Sequence, residues 1–238
     1  MSTALSAERW IEHDPDPQSR AELEAIVRAA KAGDAAAAKD LADRFAGPLE
    51  FGTAGLRGVL GSGESRMNLA VVRRTTLGLA NYLLAAKSAD VKKRGVAIGY
   101  DGRRMSRAFA DEAARVLAAV GIPSFVSRGV CPTPVAAFAT TRLGAAAGIM
   151  VTASHNPPEY NGYKVYWGNG AQIIPPHDAG IAAAIAKTPA ANAIALMPEA
   201  EAKQKNLIRP FPDDLERAYL DAVQALTIAQ GGARSAAI

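Results

Sequence analysis

The sequence predicts an α/β domain built around a parallel β-sheet. Between residues 95 and 153, three short apolar runs (GVAIGY, IPSFV and AAGIMVTA) alternate with two segments of helical periodicity. A strand–helix–strand–helix–strand order at this spacing is typical of parallel βαβ units. The apolar runs are continuous rather than alternating, which indicates strands covered by helices on both faces.

The residues before this unit are predicted to be mainly helical. One helix begins near Pro17, which suits a first helical turn, and the next spans about residues 34–45 with Asp34 as its N-cap. Residues 46–68 contain six glycines and show no periodicity. A long helix over about residues 69–87 follows, because apolar residues there recur at helical spacing.

The remaining elements are predicted from the same signals. The two helices between the strands cover residues 106–121 and 134–144, and each ends at a glycine. Residues 171–187 indicate a strand, a turn and a helix. Residues 188–212 are rich in proline and alanine and are interpreted as a linker, and a helix follows over residues 213–226. The last residues, QGGARSAAI, resemble the start of a further strand.

Composition and charge narrow the class of protein. The chain has 238 residues, 49% of them hydrophobic and 21% charged, which is enough apolar material for a packed core. The net charge of +4 is scattered, and the densest basic run is only KKR at 92–94, so we do not expect nucleic-acid binding. The single cysteine, Cys131, excludes an internal disulfide. No apolar run reaches the roughly 18 residues of a membrane span, and the N-terminus lacks a signal-peptide core, so a cytoplasmic protein is expected.

Three loops are expected to meet at one edge of the sheet. In open α/β sheets, ligands bind beyond the carboxyl ends of the parallel strands. The loops that follow the three predicted strands are YDGRRMS at 100–106, SRGVCPTP at 127–134 and SHNPPEYNG at 154–162. The third loop places Ser154, His155 and Asn156 together, which a simple turn does not require.

One interpretation of Ser154 is the nucleophile of a serine hydrolase. In extended backbone, neighbouring side chains point to opposite sides, so His155 is expected to be badly placed as a base for Ser154. The nucleophile-elbow pattern G-x-S-x-G is also absent, since the local sequence is TASHN. A hydrolase triad is therefore not favoured.

The other interpretation is a serine that carries phosphate. Such a site needs cations, backbone donors and usually a divalent metal to spread the charge. Arg57, Arg103, Arg104 and Lys164 can supply cations, and Lys164 is a candidate proton carrier. No cluster of aspartates with metal-ligand spacing occurs in the chain. The residues alone thus provide the serine and the cations of a phosphoryl-transfer site, but not its metal ligands.

Five motifs in order resemble one known family. TASHNP at 152–157 resembles the phosphoserine signature of the α-D-phosphohexomutases, the phosphoglucomutase and phosphomannomutase family. The other four are EFGTAGLRG at 50–58, GYDGRRMS at 99–106, PTP at 132–134 and NGYKVYWGNGAQI at 161–173. The leader, with Trp10 and DPDPQSRAEL, and the segment GSGESRMN are most similar to the branch that contains phosphoglucomutase 2 and phosphopentomutase.

The resemblance implies a fold, a reaction and roles for particular residues. The fold would be a three-layer α/β/α domain with a mostly parallel mixed sheet. Ser154 would be the phosphoserine of an isomerase, an intramolecular phosphotransferase that interconverts sugar 1-phosphates and 6-phosphates, or pentose 5-phosphates, through a sugar bisphosphate. The implied cofactors are Mg²⁺, bound in part through the phosphate on Ser154, and glucose 1,6-bisphosphate as activator. Lys164, Arg57 and His155 would join Ser154 in catalysis, and the sugar phosphate would contact Thr53, Arg57, Arg103, His155 and Lys164.

The chain also departs from the family pattern. Family members have four domains, and the aspartate-rich metal loop, the sugar-selecting loop and a second phosphate-binding loop lie in the domains after the first. We therefore expect residues 1–46 to form a helical leader, 47–187 the first domain, 188–212 a linker and 213–238 the opening helix of a truncated second domain. We expect the chain to fold without catalysing turnover by itself, and the helix at 213–226 offers a surface for self-association. The alternative is a non-catalytic domain that binds phosphate or a sugar phosphate weakly.

Overall fold

The computed structural model of the chain describes residues 3–53 and 55–227, with the side chains of 87–89 left out. Nine α-helices and six strands lie in this part of the chain. The helices are α1 (Thr3–His13), α2 (Pro17–Lys31), α3 (Ala35–Arg44), α4 (Leu69–Arg94), α5 (Ser106–Ala119), α6 (Thr133–Arg142), α7 (His177–Ala186), α8 (Glu199–Gln204) and α9 (Leu215–Gln224). The strands are β1 (Leu56–Val59), β2 (Val96–Tyr100), β3 (Ser124–Val126), β4 (Ala147–Val151), β5 (Tyr160–Trp167) and β6 (Ile208–Pro210).

The six strands form one mixed, mostly parallel sheet in the order β1-β5-β4-β2-β3-β6. The predicted βαβ unit is confirmed, since β2 pairs in parallel with both β4 and β3. Strand β5 returns antiparallel to β4, and β1 pairs antiparallel with β5. Strand β1 lies inside the glycine-rich segment, where periodicity predicted no strand, because four residues are too few to show an alternating pattern.

Helices cover both faces of the sheet and complete the predicted three-layer arrangement. The larger core lies under α4, α5 and α7, with Leu79, Phe109 and Ile149 fully buried. The smaller core lies on the other face, where α6 and α9 pack against β2, β4 and β5. A buried ion pair between Arg73 and Glu112 connects α4 to α5. Helix α4 extends seven residues beyond its predicted end at Lys87.

The leader forms a small helical unit with its own core. Ala7, Leu23, Val27 and Leu41 are its buried residues, from α1, α2 and α3. The predicted N-cap forms, since the Asp34 side chain accepts two N–H groups of α3. Pro17 begins α2 as predicted, and Asp16, which was not predicted as a cap, accepts from the backbone of α2. Arg44 at the end of α3 donates to the Ser62 carbonyl at 3.1 Å and so attaches the leader to the glycine-rich segment.

The C-terminal segments differ from the sequence expectations. Residues 171–175 make a single bridge, between Gln172 and Tyr166, where a strand was predicted. The predicted linker at 188–212 contains a 3₁₀ turn, α8 and β6, and β6 pairs in parallel with β3. A three-residue edge strand between prolines and polar residues carries no periodic signal, which explains why the sequence did not indicate it. The division of the chain into domains remains a prediction.

Helix α9 packs against the domain by one end only. Leu215 is buried, and Tyr219 meets Phe138 of α6 edge-on with ring centroids 5.6 Å apart. Leu220 and Leu226 are exposed. The strand start predicted for QGGARSAAI lies outside the described residues. Among the helices that the structure describes, none has the length and apolarity to cross a membrane.

Candidate active site

Ser154 lies in a tight turn just beyond the carboxyl end of β4. Its φ of 58° places it in the left-handed region, which few residues other than glycine adopt. Its N–H donates to Thr152 Oγ1 at 2.9 Å, and the Asn156 N–H closes the turn on the Ala153 carbonyl at 3.1 Å. The left-handed backbone turns the chain away from the sheet, and the Ser154 side chain is exposed.

His155 does not occupy the position that the extended backbone predicted. Its Nδ1 lies 3.4 Å from Ser154 Oγ, because the left-handed turn brings the two neighbouring side chains to the same side. The expectation that they point apart was therefore wrong. Within the described residues, no carboxylate hydrogen-bonds to His155, so the third member of a hydrolase triad is not provided there.

Arg103 holds the serine loop from the neighbouring loop after β2. Its Nη2 donates to the carbonyls of Ser154 at 2.9 Å and Asn156 at 2.7 Å. Its Nη1 donates to the carbonyls of Pro157 at 2.8 Å and Tyr160 at 3.2 Å. The Nε faces a carboxylate oxygen of Asp101 at 3.4 Å. The guanidinium thus makes four hydrogen bonds and one ion pair with the protein, and the predicted contact of Arg103 with substrate remains a prediction.

Asp101 and Asn161, which the sequence analysis did not identify as site residues, hold Arg103 and its loop in place. Asp101 Oδ1 accepts from the Arg103 N–H at 3.0 Å and from Ser106 Oγ at 2.7 Å. Asn161 at the start of β5 is fully buried and donates to the Arg104 carbonyl at 2.8 Å and to Ser106 Oγ at 2.9 Å. Both lie inside matched motifs, GYDGRRMS and NGYKVYWGNGAQI, and this was the signal that could have identified them.

The segment EFGTAGLRG at 50–58, called here the opening loop, approaches the serine loop from the other side. Arg57 on β1 is paired with Gly162 of β5, and its Nη1 donates to Asn156 Oδ1 at 2.8 Å. Thr53 is exposed in the turn that precedes β1. Gly55 makes this close approach possible: its φ is +77°, and a Cβ there would lie 2.0 Å from the Tyr163 carbonyl oxygen. The loop therefore lies directly against β5 beside Lys164.

Lys164 is a half-buried lysine on β5 without a partner in the described part of the chain. It lies opposite Met150 in the register of β4 and β5. Its neighbours Tyr163 and Val165 face the larger core, so Lys164 faces the other side of the sheet. Burial lowers the pKa of Lys164, and the positive charge of Arg57 lowers it further. A lysine of lowered pKa beside a serine loop is a candidate proton carrier.

The third loop, at 127–134, binds a different part of the chain. Cys131 N–H donates to the Tyr100 carbonyl at 2.8 Å, which keeps this loop beside the loop after β2. Arg128, however, forms an ion pair with Asp213 at 2.8 Å and donates to the Phe211 carbonyl. The convergence of the loops after β2 and β4 around Ser154 is thus observed, while the arginine of the loop after β3 interacts with the C-terminal segment.

The exposed Ser154 hydroxyl lies beside His155, and Arg57 is bound to the same loop. Lys164 lies close enough to Arg57 for that charge to lower its pKa. Such an arrangement can hold and transfer a phosphoryl group, because fixed cations offset the charge that develops on its oxygens. Within residues 3–53 and 55–227, no group of three or more histidine, cysteine or acidic side chains could hold a metal ion.

The fold and this site define a protein of the phosphohexomutase class. Residues 48–192 match the family model described as phosphoglucomutase/phosphomannomutase, alpha/beta/alpha domain I, and the chain belongs to this family. The predicted resemblance is therefore confirmed. The chain is 43% identical over 183 residues to human phosphopentomutase, covering 74% of this chain and 29% of that protein. It is 39% identical over 184 residues to human glucose 1,6-bisphosphate synthase, covering 75% of this chain and 28% of that protein.

A solved structure agrees with the fold. A Thermus thermophilus protein described as a phosphomannomutase superposes with a TM-score of 0.60 and 31% sequence identity. The superposition covers 75% of this chain and 36% of that one. The chain thus spans less than a third of the length of the curated relatives given above, in the part that contains the first α/β/α domain.

Proposed function

We propose that Ser154 is the phosphate carrier of a sugar phosphomutase. The observation that carries this proposal is the exposed Ser154 hydroxyl, presented by a left-handed turn with Arg57 bound to the same loop. The phosphoryl group on Ser154 moves to one hydroxyl of a sugar phosphate, and the resulting bisphosphate returns its other phosphate to the serine. The net reaction exchanges phosphate between C1 and C6 of a hexose, or C1 and C5 of a pentose.

The side chains around Ser154 have distinct proposed roles. In the transfer to sugar, the bond between phosphorus and Ser154 Oγ breaks as the sugar oxygen bonds to phosphorus. Lys164 carries the proton from the sugar hydroxyl to Oγ, a role that its lowered pKa favours. Arg57 and His155 offset charge on the phosphoryl oxygens. Thr53, in the opening turn, contacts the sugar phosphate.

Arg103 has an indirect role in this proposal. Its guanidinium holds four carbonyls of the serine loop, so it positions Ser154 rather than touching the reacting atoms. A contact between Arg103 and substrate would require one of these hydrogen bonds to open. A mispositioned nucleophile loses much of the advantage of a preorganised site.

The described residues alone do not provide enough ligands for the Mg²⁺ that the family resemblance implies. Mg²⁺ prefers near-octahedral oxygen coordination, and Asp101 is already engaged by Arg103 and Ser106. A phosphate on Ser154 would offer one oxygen ligand. We therefore derive no step through a metal from this chain, and propose that its remaining ligands belong to segments outside the described residues.

The names of the relatives support the substrate class. One relative is named a phosphopentomutase and another a glucose 1,6-bisphosphate synthase. These names favour sugar phosphates as substrates and a sugar bisphosphate, such as glucose 1,6-bisphosphate, as the intermediate and activator. Because both pentose and hexose names occur, the proposal includes pentose and hexose phosphates.

A chimera tests the proposal. In human phosphopentomutase, the segment that aligns with this chain is replaced by the corresponding residues of this chain, and turnover of ribose 1-phosphate and glucose 1-phosphate is followed by coupled assays. We expect turnover, with phosphate found on Ser154 by mass spectrometry. The matched control is the same chimera with Ser154→Ala, which should lose turnover completely. A Ser154→Ala chimera that keeps turnover would refute the covalent role.

The second candidate function is binding of phosphate or a sugar phosphate without turnover. It is favoured by the absence of a metal-ligand group among the described residues. The two functions differ in one assay: the 238-residue chain is incubated with glucose 1-phosphate, Mg²⁺ and glucose 1,6-bisphosphate, and glucose 6-phosphate is measured. We expect no sustained turnover from the chain alone, and product formation proportional to its concentration would contradict this expectation.

A further inference from the structure

A second polar cavity lies at the edge of the sheet that β3 and β6 form. It has a volume of about 480 Å³ and opens between these strands, α5 and α8. Pockets of this size hold small organic ligands. Neither Ser154 nor any of Thr53, Arg57, Arg103, His155 and Lys164 lines it. The cavity is therefore separate from the candidate active site, although both lie near carboxyl ends of parallel strands.

Cations dominate the lining of this cavity. The lining includes four basic side chains and two acidic ones: Arg107, Arg128, Lys203, Arg209, Asp111 and Glu199. Arg107 is bound to Asp111, and Lys203 to Glu199, so these four charges offset one another. The pKa of Glu199 is lowered, first by its hydrogen bond with Lys203 and more weakly by the charges of Arg107 and Arg115. Arg128 forms its ion pair with Asp213, which does not line the cavity, so Arg209 is the lining cation without an acidic partner among the described residues.

Arg209 differs from the other three cations. It makes no hydrogen bond and no ion pair through its side chain with any group in the described ranges, although it is partly buried. Its guanidinium lies over the ring of Phe125, with Cζ 4.3 Å from the ring centroid. Stacking of this kind fixes the plane of the guanidinium and leaves its N–H groups available at the edge.

Two residues that line this cavity, Ser127 and Arg209, each contain a buried polar atom without a partner among the described residues. Among the described residues, three buried side-chain nitrogen or oxygen atoms lack a hydrogen-bond partner, and two of them are Ser127 Oγ and Arg209 Nε. Ser127 is 6% exposed and follows β3 directly. Buried polar groups are almost always hydrogen-bonded, and a pair of exceptions in one place indicates a partner that is supplied from outside the chain.

We propose that this cavity binds the phosphate group of a small phosphate monoester. Arg209 donates to two phosphate oxygens through its planar N–H edge, and the Ser127 hydroxyl donates to a third. Arg128 stays at the rim in its ion pair with Asp213. The rest of the ligand fills the space between α5 and α8.

Binding is tested on the 238-residue chain by two-dimensional NMR, with inorganic phosphate and glycerol 3-phosphate as probes. We expect saturable shifts of the amides of Ser127, Arg128 and Arg209, with the monoester binding more tightly than phosphate because its organic part also contacts the cavity. Shifts confined to residues 152–164 would place binding at the serine loop only and overturn the proposal. Equal or weaker binding of glycerol 3-phosphate would overturn its assignment to a monoester.

Three variants sharpen this test. Arg209→Gln should weaken binding about 10- to 100-fold, because it removes a charge-assisted bidentate contact, and Ser127→Ala about 3- to 10-fold. The matched control, Arg217→Gln on the exposed face of α9, removes an equal charge and should leave the affinity unchanged. Arg209→Lys keeps the charge but cannot donate to two phosphate oxygens from one planar group, so it should also weaken binding. This variant tests the site if Arg209→Gln disturbs folding. Unchanged affinity in Arg209→Lys and Ser127→Ala would refute the site.

Discussion

The loops after β3 and β4 leave the same edge of the sheet, yet their arginine contacts differ. The serine loop after β4 is held by Arg103 of a neighbouring loop, which donates four hydrogen bonds to protein carbonyls and forms an ion pair with Asp101. The loop after β3 contributes its own Arg128 to an ion pair with the C-terminal segment. The serine loop is thus fixed inside the domain, with Arg57 and Lys164 beside it, whereas the loop after β3 joins the domain to α9.

This difference shows that the role of a cation is decided by its partners. Arg103 is engaged by four carbonyls and by Asp101, while Lys164 has no side-chain partner among the described residues. Arg128 is 57% exposed in its side chain and Asp213 87%, so their ion pair is largely screened by water.

After the complete loss expected for Ser154→Ala, the largest effect is expected for Lys164→Met in the phosphopentomutase chimera. Loss of a proton carrier should slow turnover by about 10²–10⁴-fold. The pKa of Lys164 is lower in the folded state than in the unfolded chain, so the unfolded chain binds this proton more tightly. The charged lysine therefore destabilises the folded state, and this cost disappears only when the pH rises through the pKa of the unfolded chain. The melting temperature of the 238-residue chain at about pH 7 should therefore be unchanged or slightly higher in the variant. A loss of turnover below about tenfold, or a lower melting temperature, would make Lys164 a structural residue.

The next effect is a loss of stability in Arg103→Ala. Removing a guanidinium that serves four carbonyls should lower the free energy of unfolding by about 2–4 kcal/mol, because those acceptors lose charge-assisted bonds. Urea unfolding of the 238-residue chain measures this change. The control is Arg104→Ala, whose exposed side chain makes no hydrogen bond with described residues and should cost less than about 0.5 kcal/mol. Equal effects of the two substitutions would mean that Arg103 does not hold the loop.

A smaller effect is expected from the backbone of Ser154 itself. Its left-handed φ of 58° is unfavourable for any side chain and neutral for glycine. Ser154→Gly should therefore be more stable than Ser154→Ala by about 1 kcal/mol, since both lose the hydroxyl and only the alanine keeps the strain. Urea unfolding of the two variants compares them directly, and an alanine variant of equal or greater stability would contradict the strained turn.

The smallest effect belongs to the loop after β3. Arg128→Ala removes an exposed ion pair and should change the free energy of unfolding by less than about 0.5 kcal/mol. Hydrogen exchange should nevertheless increase locally in residues 211–224, because this arginine connects the loop to the segment that leads into α9. Faster hydrogen exchange throughout the sheet, or no increase of exchange in α9, would show that Arg128 does not have this local role.

Several features of the candidate site were predictable from the sequence because their signals are local. Ser154 could be placed in a loop at the carboxyl end of a buried strand from the apolar run AAGIMVTA and the prolines that follow it. The closeness of Ser154 to His155 could not be predicted, because no sequence pattern indicates a left-handed backbone at a serine. Extended backbone was expected there instead. The resemblance of five motifs indicated the family, which the comparison confirmed, while the roles of the individual residues remain proposals.

The sequence by itself determined the order of the βαβ unit, the Asp34 N-cap of α3 and the position of the serine loop. These features depend on hydrophobic periodicity and on the conformational preferences of proline, glycine and aspartate, which act between near neighbours in the chain. Only the tertiary structure decided that Arg103 holds the serine loop while Lys164 has no side-chain partner among the described residues, and that Arg209 and Ser127 line one cavity. Hydrogen-bond partners as far apart in the chain as Arg103 and Ser154 are selected by packing in three dimensions, and the linear pattern does not encode which acceptor a cation will reach.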